Sequence, residues 1–92
     1  MAHFVATYEY SAAETELAAV RAEHREYLAG LDELLISGPA DDGRGAVLIF
    51  ESETAEQVEA LLAADPFVAQ GLVGEHRVRP WKPVLGRLLE HF

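Results

Sequence analysis

Two side chains in this sequence are suited to moving a proton near neutral pH: the imidazole of His24 and, far along the chain, the carboxylate of Asp65. His24 stands in VRAEHREYLAGL, residues 20–31. On a helix, Val20, His24, Leu28 and Leu31 fall on one side, and Leu17 and Tyr27 widen that side into an apolar stripe. Glu23, Arg25 and Glu26 fall elsewhere. An imidazole inside such a stripe has two uses. It can be a core histidine whose ring nitrogens are satisfied by backbone or by a neighbouring side chain. It can also be a general acid/base, since burial beside a carboxylate both tunes and orients it.

Asp65 is the carboxylate that could meet it. It follows Leu61 by four positions and Leu62 by three, so a helix reaching that far turns Asp65 the same way as its apolar stripe. Asp65-Pro66 is equally good N-cap and N1 chemistry for a short helix beginning there. The two uses are compatible, because one oxygen can cap while the other meets an imidazole. Of the other histidines, His76 lies on the last expected strand, facing a pocket or an interface, and His91 lies in the tail. With His3, they show no i, i+2 or i, i+4 spacing, so no local metal motif exists. Ser37-Gly38-Pro39 reads as a strand terminator, or as a hydroxyl and backbone ledge at a pocket rim. Tyr8 and Phe67 are the candidate aromatic walls of a pocket between the first helix and the sheet.

The elements that must position these groups follow from periodicity. His3–Tyr10 alternates, with Phe4, Ala6, Tyr8 and Tyr10 on one side, which predicts a strand. Ser11 with Glu14 has the form of a capping box, and a helix follows to about Leu28 or Glu33, with Gly30 as a stop signal. Leu34–Ser37 predicts a short strand closed by Gly38-Pro39, and Ala40–Gly45 is turn chemistry. Gly45–Glu51 is a strand apolar on both faces. Thr54 with Gln57 caps a second helix carrying Val58, Leu61 and Leu62. Phe67–Val73 gives an extra helical turn, Glu75–Trp81 a last strand ended by Lys82-Pro83, and Val84–Phe92 an amphipathic tail helix. The order is β-α-β-β-α-β, the ferredoxin-like α+β pattern: a four-stranded antiparallel sheet with both helices on one face. A two-sided apolar strand then needs cover on the other face, and a second subunit, forming a dimeric α/β barrel, is the natural supplier.

Composition narrows the functions. The chain has 92 residues, 50% of them hydrophobic, which suits one domain spanning 1–92 with residues 82–92 as its tail. Sixteen acidic residues against seven basic give a net charge of −9, which repels phosphate backbones and anionic lipid. Nucleic acid and membrane are therefore not expected partners. With no cysteine, thiol catalysis and disulfides are excluded, and with no visible secretory signal the expected location is cytoplasmic.

Taken in order, Arg21-x-x-His24, Ser37-Gly38-Pro39, Asp65-Pro66-Phe67 with Gly71, and Val78-x-Pro80-Trp81-Lys82 resemble the YCII (YciI-like) family, from residue 3 to about residue 84. The resemblance implies a ferredoxin-like fold and a dimer with its sheets packed together. It implies that His24 and Asp65 match the family's catalytic pair, and that Arg21 and the Ser37-Gly38 turn surround the same pocket. It implies cofactor-free proton transfer on a small ring-like substrate, such as dehydrochlorination of hydroxylated aromatics or lactone isomerisation. A non-catalytic small-ligand module and a purely structural dimerisation unit are the alternatives. The sequence departs from the family in a short Ala40–Gly45 loop, in Trp81 where Phe is common, and in a longer tail.

Overall fold

In the computed structural model, which describes residues 1–92, the chain runs β1 (Ala2–Tyr10), α1 (Glu14–Ala29), β2 (Leu34–Ala40), a tight turn at Asp41–Gly43, β3 (Gly45–Ser52), α2 (Ala55–Ala63), α3 (Pro66–Ala69) and β4 (Val73–Trp81), then a single 3-10 turn at Leu89–His91. The strands form one antiparallel sheet in the order β2-β3-β1-β4. This is the βαββαβ ferredoxin-type arrangement, with the short α3 inserted before β4.

Alternation along β1 decides which face the helices cover. Phe4, Ala6 and Tyr8 are buried, and across the ladder they oppose Phe50, Leu48 and Ala46 of β3. Leu28 of α1 and Val58 and Leu62 of α2 close over these residues to make the main core. A smaller cluster, Ala12, Leu17, Phe67 and Leu72, lies where the β1–α1 connection meets α3, and Tyr10 packs against both. Two close backbone approaches hold this geometry. A Cβ on Gly45 would sit 2.5 Å from the Tyr8 carbonyl oxygen, and one on Gly74, at a β-bulge opposite Glu9 and Tyr10, would sit 2.9 Å from the Ser11 Cβ.

The second face of β3 carries Ile49, flanked by Val5 of β1 and Ile36 of β2, and Val47, flanked by Thr7 and Gly38. No element of the chain covers them, and Ile36 is 62% exposed. The two-sided apolar character of Ala46–Phe50 thus maps onto one covered and one open face.

Three local expectations are corrected. Helix α1 starts after Ala13, whose N–H donates to the Glu16 carboxylate at 3.3 Å; Ser11 instead donates to the Leu72 carbonyl through its backbone N–H at 3.1 Å. The pairing of β1 with β4 takes Ser11 before any helix can claim it. Strand β2 does not stop at Gly38-Pro39 but runs through it to Ala40, because β2 is an edge strand and a missing N–H there costs no ladder bond. The tail forms no amphipathic helix: Gly86, at φ 134°, interrupts it, and only Leu89–His91 makes a turn. Phe92 then folds back edge-on against His3 and Trp81, at ring-centroid distances of 5.4 and 5.6 Å.

Candidate active site

Helix α1 carries His24 on its buried side, between Leu17 and Leu28. Asp65 arrives from the other half of the chain as the residue linking α2 to α3. Its position is fixed by its own capping bond, since Oδ1 accepts from the Phe67 N–H at 3.1 Å with Pro66 at the first helical position. Tyr27 of α1 donates to the Leu61 carbonyl at 2.6 Å, which ties the two helices together one turn before Asp65.

The two groups meet. His24 Nδ1 lies 2.8 Å from Asp65 Oδ1 and 3.0 Å from Oδ2. Tyr8, standing on the sheet beneath, donates its hydroxyl to Oδ2 at 2.9 Å. Asp65 is fully buried, and three donors point at it: an imidazole N–H, a phenol and a backbone amide. Burial first, and then the charge of Asp65, push the Tyr8 hydroxyl above its ordinary value, so it remains a donor across the working pH range. Since Asp65 can only accept from Nδ1, the imidazole carries its proton there when neutral, and Nε2 is the basic nitrogen. Nε2 has no hydrogen-bond partner in the chain. The His24 ring lies flat on Phe67, with centroids 3.8 Å apart and planes 4° apart, which fixes its tilt.

His24 opens onto a cavity of about 760 Å³ between α1 and the β2–β3 side of the sheet, within the usual range for small-molecule sites. Arg21, Ser37, Gly38 and Phe67 also line it, so the structure gathers these sequence candidates around one space. Tyr8 is corrected. It is no wall of this cavity, because its ring is buried under the helices and its hydroxyl is spent on Asp65. Tyr10 takes the wall position instead, its ring 5.5 Å from Phe67 and edge-on to it. Sequence reasoning also missed Arg25 and Arg44. Arg25 lies beside His24 on the charged side of α1, and Arg44 sits in a stretch read only as turn chemistry. The signal available was the one basic residue in ADDGRG. His, Asp and Glu side chains nowhere gather in a group of three that could hold a metal ion, and no helix is long and apolar enough to cross a membrane.

The profile of the YCII-related domain matches residues 1–82. Among solved structures, the chain is similar to 5-chloro-2-hydroxyhydroquinone dehydrochlorinase (TftG) from Burkholderia phenoliruptrix, seen in complex with 2,5-dihydroxybenzoquinone. The TM-score is 0.76 at 26% identity, covering 87% of this chain and 93% of that one. It is also similar to a NIPSNAP family protein from Agrobacterium tumefaciens (TM-score 0.57, 18% identity, 89% and 91% covered). A third likeness is to SnoaB, a cofactor-independent oxygenase from Streptomyces nogalater (TM-score 0.53, 17% identity, 90% and 94% covered). The last two likenesses establish the fold alone. Among curated proteins none matches the sequence.

Proposed function

The chain belongs to the YCII-related domain family, and from that premise we propose that it is a small enzyme that uses the His24–Asp65 pair for cofactor-free proton transfer on a hydroxylated ring or lactone. The observation that carries this reading is the 2.8 Å contact between His24 Nδ1 and a fully buried Asp65, with Nε2 left free at the cavity.

The chemistry follows from that arrangement. Nε2 takes a proton from the substrate, and the electron pair left behind forms a new π bond. In a dehydrochlorination chloride departs with its own bonding pair, so the net loss is HCl. In an isomerisation the imidazolium returns the proton at another carbon. Asp65 stabilises the imidazolium as it forms and holds the ring in the tautomer that exposes Nε2. The similarity to a dehydrochlorinase seen with a dihydroxybenzoquinone favours a hydroxylated ring of that size. Phe67 and Tyr10 supply flat apolar walls for it.

The open sheet face completes the proposal. Val5, Ile36, Val47 and Ile49 stand together where the chain offers no cover, and packing two such faces together would bury them in a homodimer.

The test is turnover of chlorinated hydroxyquinols and small lactones by wild type and by His24→Gln. Positioned proton transfer contributes about 100- to 10,000-fold in rate, and a loss of that order is expected. A folded His24→Gln protein with wild-type turnover overturns the assignment.

A further inference from the structure

The protein is strongly acidic, yet its charge is locally reversed at the cavity. Three of the seven basic residues, Arg21, Arg25 and Arg44, line it, against two exposed carboxylates, Glu14 and Asp42. One of those carboxylates is already committed, since Glu14 pairs with Arg21 at 2.7 Å. Arg25 forms no ion pair with any carboxylate of the chain.

Arg44 is held in place from two directions. Its Nη2 donates to the Tyr10 carbonyl at 3.1 Å and to the Ala12 carbonyl at 2.9 Å, so the guanidinium is tied to the β1–α1 connection beside the cavity. Its backbone is delivered by a strained turn. Asp41, Asp42 and Gly43 are all left-handed, at φ 52°, 55° and 87°, and the Arg44 N–H closes the turn on the Asp41 carbonyl at 3.0 Å. Gly45, immediately after, admits no side chain. A guanidinium immobilised in this way keeps its remaining N–H groups for a ligand and loses little freedom on binding one.

We infer that the cavity selects a singly anionic ring substrate, with Arg25 and Arg44 receiving its negative oxygen while the ring lies among Tyr10, Phe67 and His24. This rests on the proposed role of His24, and the two ideas fit one another chemically. Removing a proton from a hydroxylated ring or a lactone builds negative charge on oxygen, and fixed guanidinium groups stabilise that charge best where it develops. Glu14 and Asp42 at the same rim oppose polyanions, which makes a single charge the best match.

The experiment compares two ligands of the same shape that differ in charge, 2-hydroxybenzoate and 2-hydroxybenzamide. Calorimetry gives the affinity, and the His24 imidazole resonances report where each ligand binds. In wild type the benzoate should bind at least about tenfold tighter than the amide, and only its affinity should fall with added salt. Arg25→Met should remove most of that preference and leave amide binding unchanged. Arg44→Lys, which keeps the charge but loses the two carbonyl bonds, should reduce the preference without unfolding the turn. His24→Gln should keep the preference, so loss or retention of turnover in that variant judges the base separately from the anion site. Equal affinities for the two ligands, absence of binding by either, or a preference undiminished in the Arg25→Met/Arg44→Lys double variant would overturn the inference.

Discussion

Of the four histidine–carboxylate contacts in the molecule, two are equally short. His24 meets Asp65 at 2.8 Å, and His76 of β4 meets Glu59 of α2 at 2.8 Å. Distance does not distinguish them; surroundings do. Asp65 is fully buried and accepts from a tyrosine and a backbone amide as well as from the imidazole, and His24 is clamped on an aromatic ring beside a cavity. Glu59 and His76 have side chains 50% and 38% exposed. Water competes for both partners there, their side chains keep their rotamer freedom, and such a pair contributes about 0–1 kcal/mol. The comparison teaches that a histidine–carboxylate contact becomes a chemical device only when other groups fix both partners and leave one nitrogen free.

That difference can be broken most severely at Asp65. Replacing it with Asn keeps the shape but sets an amide among groups that need acceptors. Turnover should fall about 100-fold or more, and the His24 tautomer populations read by nitrogen NMR should shift away from the Nδ1–H form. Asp65→Ala goes further. It strands the Tyr8 hydroxyl, the Phe67 N–H and the His24 Nδ1–H together, and should lower stability in denaturant by about 3 kcal/mol.

Tyr8→Phe is the intermediate case. It removes one of three donors to the carboxylate, with an expected stability cost of about 1 kcal/mol and a several-fold loss of turnover. It also carries a pH signature. The folded-state value of Tyr8 lies above the ordinary value of 10.0, so the stability it contributes is complete below pH 10.0 and is lost as pH rises beyond that. Alkaline unfolding curves should therefore be shallower for Tyr8→Phe than for wild type. Identical curves would mean that the hydroxyl does not serve the carboxylate.

The smallest effect belongs to the exposed pair. His76→Gln should change stability by less than about 0.5 kcal/mol and leave turnover untouched. A loss of activity there would erase the distinction between the two pairs and move attention to the seam between α2 and β4.

Much of this was legible in the sequence because it rests on period. The alternation from Phe4 to Tyr8, the two-sided apolar run Ala46–Phe50 and the His24 stripe each translate directly into a face of a strand or helix. The Asp65-Pro66 cap was legible for the same reason, being a local rule. What escaped depended on distant partners. Tyr8 declares in the sequence only that it points inward. That its hydroxyl meets Asp65 requires α2 and α3 to be folded over it. Pro39 signals a strand end unless the strand lies at the sheet edge, and edge position is a property of the whole topology. Ser11 and Glu14 spell a helix start that pairing with the Leu72 backbone pre-empts. Arg44 looked like part of a solvated turn because nothing local says which carbonyls a guanidinium will find.

One contact sets a limit on what the pair can do. With Phe67 parallel beneath it and Asp65 gripping its far nitrogen, the imidazole can neither roll over nor swing sideways in its slot. In the proposed reaction, a planar molecule held in the cavity thus meets the imidazole from one fixed direction, and a proton added to or taken from a trigonal carbon is exchanged on one side of it only. Stereochemistry, on this account, is written into the stacking of two rings before any substrate arrives.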